Sequence, residues 1–325
     1  MIKDFFITLV SNKKSLVGLC ILGFFVLVAI FAPVIAPYPP KIDRIETVVR
    51  NGDPVQEEEI LSEEYPSDSK DIITYRTVET NEYTKTVDYF PLRSRPGRAH
   101  LLGTNHAGND LLSQLVWGTR VSLTIGLATG LFVTVLSLTL ALLSGYLGGV
   151  VDDVITFITN VMLVIPGLPL MIVVAAYVTM KGVLPIVLIL GLTGWPYPTR
   201  LLRAQVLTLK NRDFVRVSRA LGERTSFVVF REILPNMISI AMAEFFATSM
   251  AAILGEATLE FIGLGNVTVV SWGTMLFWAQ ANGALLSGAW WWFMPPGLAI
   301  ALVGTSFVLI NFAIDEISNP RLRKR

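Results

Sequence analysis

Long stretches of this sequence carry no charged residue, among them Ser15 to Tyr38, Val121 to Val151, Val154 to Met180 and Gly182 to Thr199. A helix needs about 20 apolar residues to cross a bilayer, and a charge at its centre costs about 3 kcal/mol or more. Runs of this length therefore fit membrane spans. A fifth, Ile233 to Gly255, is interrupted only by Glu244. A sixth lies within Phe261 to Ile314, from Pro295 to Ile314, where Trp290, Trp291, Trp292 and Phe293 read as an interfacial aromatic belt just before it. Composition agrees: of 325 residues 53% are hydrophobic and 16% charged, with a mean hydropathy of +0.59. The expected fold class is an all-α integral membrane protein with six transmembrane helices.

Orientation follows from basic residues close to the span ends. Lys3, Lys13 and Lys14, eight Lys or Arg from Arg200 to Arg231, and Arg321, Arg323, Lys324 and Arg325 fall on one side; the short loops of the other hold only Lys181. Both termini and the Arg-rich loop are thus expected in the cytoplasm, in a multi-pass cell-membrane protein. The first apolar run is longer than a signal-peptide core, and Pro33 to Pro37 make a poor cleavage site, so a retained first helix is expected. The single cysteine, Cys20, reads as a packed or lipid-facing apolar residue, and two histidines, His100 and His106, give no metal-ligand spacing.

Three regions are expected: residues 1–38 with the first helix, a polar extracytoplasmic insert at 39–100, and a core at 101–325 with five helices and the loop 200–235. The insert holds nine basic and thirteen acidic residues. Within it, Thr74 to Glu79 and Tyr83 to Asp88 are rich in β-formers and flank Thr80-Asn81-Glu82, which predicts a hairpin. Glu57 to Glu59 and Glu63-Glu64 read as a solvated face, with a calcium site as the sharper alternative that their spacing does not favour. Ser122, Gly126, Gly130 and Thr134, and Ala243, Ala247, Ala251 and Gly255, recur every four residues and predict close helix packing. Pro166 and Pro169 should kink the third span, and Pro196 and Pro198 end the fourth.

The Arg-rich loop has its own pattern. Asp213 is a reasonable N-cap, and Phe214, Val217, Ser218 and Leu221 follow at helical spacing, with Arg212, Arg216 and Arg219 on the remainder. Gly222 suits a left-handed helix end, Thr225 or Ser226 can cap a second short helix through Phe227, Phe230 and Leu234, and Pro235 marks entry to the fifth span. On these features alone, topology bias, anionic-lipid contact and docking of a cytoplasmic protein all remain open.

Arg216-Val217-Ser218-Arg219-Ala220-Leu221-Gly222, followed by Ile233-Leu234-Pro235-Asn236, resembles the EAA loop of ABC-importer permeases. Further motifs match in order: His100 to Thr104, Gly108 to Ser113, Gly118 to Leu123, Gly255 to Leu259, Phe261 to Gly265, Ser271 to Gly273 and Asn319 to Arg323. Together they are similar to the C-type permeases of the dipeptide, oligopeptide and nickel group over residues 5–38 and 100–323. The resemblance implies an ABC type I importer permease fold and a coupling helix, Arg212 to Gly222, that sits in a cleft of the ATPase, with Ala220 as a motif residue. It also implies a second, B-type permease, two ATPases that hold ATP and Mg, and an extracytoplasmic binding protein; no nucleic acid is implied. The glutamate that usually opens the motif is Arg216 here, and Pro39 to Ala99 is longer than the family pattern, so this insert is expected to help seat the binding protein.

Glu244, one helical turn from Thr248, lies mid-span, and an ionisable residue at that depth should face a cavity, a partner or water. Two uses stand side by side: lining the translocation cavity, or a packed carboxyl hydrogen-bonded to a neighbouring helix. Glu256 matches a family position and is expected to hold back the following loop. No Gly-rich phosphate loop ending in Gly-Lys-Ser/Thr occurs, and no catalytic constellation, so the chain is expected to be a permease and not itself an enzyme. Peptides are the expected cargo, with oligosaccharides or nickel complexes as alternatives. An ion-coupled secondary transporter is the different-class alternative; it would need several coupling residues and inverted repeats.

Overall fold

The computed structural model describes residues 12–41, 46–50, 53–54, 83–87, 93–178, 182–265 and 268–318. Thr74 to Glu79, the acidic runs at 57–59 and 63–64, and the basic residues Lys3, Lys181 and 321–325 lie outside these.

The first apolar run becomes α1 (Lys13–Ile30), capped by Asn12, whose Oδ1 accepts the Lys14 N–H at 2.9 Å, and a short α2 (Ala32–Ile35). Asp110 starts α3 (Leu111–Leu142): its Oδ2 accepts the Ser113 N–H at 2.7 Å, while Oδ1 lies 2.9 Å from His100 Nδ1. The helix runs on into a wider π turn, Leu143–Leu147. α4 (Gly149–Val164) and α5 (Gly167–Tyr177) follow, then α6 (Val183–Gly194) and α7 (Pro196–Lys210). The loop forms α8 (Asp213–Ala220), and α9 (Thr225–Phe227) leads through a second π turn, Val228–Ile233, into α10 (Leu234–Phe261). α11 (Trp272–Ala281) and α12 (Trp290–Ser318) complete the helices.

Four of these rods are long and apolar enough to cross a membrane: Lys13–Ile30, Leu111–Leu147, Thr225–Phe261 and Trp290–Ile314. A fifth crossing is available only if α4 and α5, bent by 94°, are taken as one. The bend has a local cause. Pro166 forces Ile165 out of the helical region, to ψ 126°, and is itself extended at ψ 123°. α6, only 12 residues long, is followed by Trp195 in helical geometry, so the chain turns directly into α7 at Pro196. The expected fourth span thus divides at Trp195, because proline is well accommodated in the first turn of a new helix.

α3 and α10 pack along their lengths at the centre. A Cβ on Gly126 would collide with Ile253 and one on Gly130 with Ser249, so the small-residue row of α3 is what lets α10 approach. The other row is used differently: Ala247 and Ala251 are exposed and Gly255 is half-buried, leaving that face of α10 open within this chain. α1 and α12 cover the opposite face through Phe25, Phe246, Val303, Phe307 and Ile310.

One expectation needs correcting. Trp291 and Trp292 are 7% and 1% exposed and pack with Leu111, Met275 and Ala279, so only Trp290 of that run keeps an exposed ring. Aromatic composition alone does not distinguish a lipid belt from a buried cluster. In the insert, Tyr83–Val87 is a strand that pairs with Glu46–Arg50, which also pairs with Asp53–Pro54 in an antiparallel sheet; the other half of the expected hairpin, Thr74 to Glu79, lies outside the described residues. Alternation marks a strand without naming its neighbour.

Candidate coupling surface

α8 is held against the bundle by one side chain that the periodic reading overlooked. Val215 is fully buried, in a cluster with Tyr146, Leu202, Val206, Val228, Ile233 and Met237. This cluster includes both π turns and α7, so α8 rests on a built platform. The residues expected on one side of the helix point away from the bundle: Phe214, Val217 and Leu221 are 38%, 57% and 77% exposed. Ser218 is half-buried, and Arg212, Asp213, Arg216 and Ala220 are exposed. The apolar ridge, with Arg212 and Arg216 beside it, is therefore left exposed among the described residues.

The helix ends are defined. Arg212, with extended backbone, holds the N-cap position without a side-chain bond, and Asp213 is the first helical residue instead of the cap. A carboxylate there still favours the helix through the dipole. At the other end the Gly222 N–H donates to Arg219 O at 3.0 Å and the Glu223 N–H to Ser218 O at 3.2 Å, with Gly222 at φ +81°. That is a Schellman closure, which satisfies carbonyls that would otherwise be orphaned. Thr225 begins α9 with Arg224 at its N-cap, so neither Thr225 nor Ser226 caps it as expected.

Side chains around the platform tie neighbouring elements. Arg219 lies over the Tyr146 ring, and Lys210 Nζ donates to Gly145 O at 3.2 Å. Arg203 grips Asp152 with two parallel bonds, Nε to Oδ1 and Nη2 to Oδ2, each 2.6 Å, joining α7 to α4. Pro235 sits half-buried as the second residue of α10. It does not break the rod, because the preceding turn is wound as π: the Leu234 N–H reaches back five residues to Val229 O.

The carboxylates divide. Glu256 is fully buried, and its Oε2 accepts from Ser122 Oγ on α3 at 3.4 Å. Ser122 Oγ in turn accepts the Trp272 N–H at 3.2 Å, which links Glu256 to the end of the following loop, and Glu260 also holds that loop, accepting from Ser271 Oγ. Ser271 also caps α11. Glu244 is half-buried on the open face, and Thr248 Oγ1 donates to the Glu244 carbonyl one turn on. Val215 and Tyr146 were not singled out from sequence. Their neighbours come from distant segments, which periodicity does not connect.

A family model described as binding-protein-dependent transport system inner membrane component matches residues 137–324, and one for the N-terminal TM domain of oligopeptide transport permease C matches residues 1–54. The chain is 29% identical over 323 residues to the oligopeptide transport system permease protein OppC of Bacillus subtilis (strain 168), covering 99% of this chain and 90% of that one. It is 30% identical over 324 residues to the di/tripeptide transport system permease protein DppC of Pseudomonas aeruginosa (strain UCBPP-PA14), covering 99% and 93%. A chain of the inward-facing MetNI methionine ABC transporter superposes with a TM-score of 0.51 at 19% identity, covering 66% of this chain and 98% of that one, so the type I importer permease fold is shared. With matches along most of its length, the chain belongs to the inner-membrane permeases of binding-protein-dependent ABC importers, in the group of the OppC and DppC proteins.

Proposed function

We propose that this chain forms half of a translocation pathway for short peptides, beside a B-type permease, and is driven by two cytoplasmic ATPases through the helix from Arg212 to Gly222. The observation that carries the coupling role is the exposed ridge of Phe214, Val217 and Leu221 on a helix pinned from behind by Val215. A lipid-contact loop would gain little from such a closed, platform-mounted helix; a lever needs both stiffness and an unoccupied contact face. Relatives named as oligopeptide and di/tripeptide permeases favour peptides as cargo.

The topology that goes with this role has six crossings and both termini in the cytoplasm, with α4 and α5 as a broken third crossing and Gly182 to Thr199 as the fourth. Residues 39–100 then lie outside, where they help to seat the binding protein, and residues 101–325 form the core. Glu244 and Thr248 border the pathway, while Glu256 and Pro235 serve structure. ATP and Mg belong to the ATPases, which in this family are separate subunits. Closure of the ATPases on ATP shifts the bundle between two states by pushing on α8.

Co-purification tests the coupling role. Wild-type chain with its partner permease should retain the ATPases, and Gly222→Pro should lose them while keeping the partner permease; retention of the ATPases by that variant would sink the assignment. Thermal stabilisation of the cognate binding protein by peptides, and not by sugars or metal chelates, tests the cargo. Deleting Asp43 to Phe90 should abolish binding-protein docking without preventing assembly.

A further inference from the structure

The open face of α10 carries an ionisable side chain that no described residue pairs with. Glu244 is half-buried, and among the described residues no hydrogen bond or ion pair reaches its carboxylate. It lies about 15 Å along the helix from Leu234, at 1.5 Å per residue. Glu256 and Glu260, on the same helix, have hydroxyl partners in Ser122 and Ser271. A packed structural carboxyl would be expected to have one too.

Glu244 also begins a row. Thr248, Ala251 and Gly255 follow it at helical spacing and line a cavity of about 240 Å³, which Thr129 of α3 and Thr193 of α6 help to enclose. Thr129 is 1% exposed, and its hydroxyl has no hydrogen-bond partner. Most buried hydroxyls in a membrane helix satisfy themselves on their own backbone, as Thr193 does through Ile189 O at 2.8 Å. An unsatisfied hydroxyl lining the cavity, and a carboxylate one helical turn before Thr248 at its edge, suit polar cargo with a positive end. A lipid chain needs neither, and a neutral sugar does not need the charge.

We infer that Glu244 receives the α-ammonium group of a peptide in transit, while the adjoining cavity takes the residues that follow. This rests on the peptide-permease reading above. An ammonium offers three donors to a carboxylate and balances its charge in a medium that solvates neither well, so the contact is short, charge-assisted and readily exchanged for the next site. Glu244 is thus a specificity-determining residue for cargo with a free amino terminus.

The test uses the whole transporter, with its partner permease and ATPases, in nanodiscs without binding protein. Trialanine should raise the melting temperature of the wild-type complex, and N-acetyl-trialanine should not. Glu244→Gln should abolish the difference, and in proteoliposomes supplied with binding protein it should slow trialanine uptake about tenfold, the effect of one charge-assisted contact. Glu244→Asp, which keeps the charge, should retain the preference for trialanine. Equal stabilisation by both peptides, stabilisation by neither, or unchanged uptake in Glu244→Gln overturns the inference. Wild-type transporter that imports no peptide at all would instead overturn the peptide reading itself, so the two failures are distinguishable.

Discussion

The guanidinium of Arg219 lies 4.6 Å from the centre of the Tyr146 ring, and its Nε donates to the Tyr146 hydroxyl at 3.3 Å. One residue belongs to the proposed coupling helix and the other to the π turn that ends α3, so this contact joins the loop to the central helix of the bundle. Cation–π contacts contribute about 0.5–2 kcal/mol according to their desolvation. Tyr146→Phe, which keeps the ring and loses the hydroxyl, should leave binding-protein-stimulated ATP hydrolysis near normal. Tyr146→Leu should reduce stimulation several-fold while the ATPases still co-purify.

Val215→Ala removes two methyl groups from a fully buried position, and should destabilise the platform by about 2 kcal/mol. Because the exposed ridge is untouched, ATPase binding should persist, but with a lower melting temperature of the complex. Val217→Ala, at 57% exposure, should do the reverse: little change in the isolated permease pair and weakened retention of the ATPases. Thermal shift and co-purification, measured on both variants, separate anchoring from docking.

Gly222 sits at φ +81° with open space where a Cβ would be, so only backbone strain opposes a side chain there. Gly222→Ala should cost about 1–2 kcal/mol and Gly222→Asn less, since asparagine tolerates the left-handed region. Hydrogen exchange at Glu223 and Gly222, whose N–H groups close the helix, should report the same order.

His106 is sandwiched between Trp278 and Trp292, with ring centres 5.0 and 5.5 Å away. Burial, followed by the nearby Arg93 charge, holds its imidazole below the ordinary histidine range. The neutral form is therefore the one the fold prefers. Its contribution to stability is full above the unfolded pKa of about 6.5 and is lost as pH falls through the lower folded value. His106→Phe should flatten the pH dependence of the melting temperature in that acidic window and leave it unchanged at pH 8.

How far the sequence could be read differs from residue to residue. Gly222 was legible because a left-handed turn is a local demand, and the helix Asp213–Ala220 because its period is local too. Val215 was not, since the apolar spacing that selected Phe214, Val217 and Leu221 describes the face turned outward, and the anchor is a single valine between them. The same limit applies to Glu260: its partner, Ser271, stands beyond a loop, and no spacing rule reaches across it. Trp292 shows the converse error, where a composition typical of a membrane interface belongs to a buried cluster. Pro166 was readable as a kink, but the 94° angle arises from two consecutive extended residues, Ile165 and Pro166, which only the backbone reveals.

Thr225–Phe261 runs for 37 residues, about 55 Å at 1.5 Å per residue, and the π winding before Pro235 is what keeps it whole. A rod of that kind conveys torque. With side-chain tips about 5 Å from the axis, a roll of about 20° imposed at the platform end carries the Glu244 carboxylate through an arc of about 2 Å. On the inference drawn above for Glu244, that arc is enough to part the carboxylate from a bound ammonium group. In the transporter proposed above, the proline at the start of α10 is less a stop than a splice, and rotation of this rod would time the hand-over of cargo.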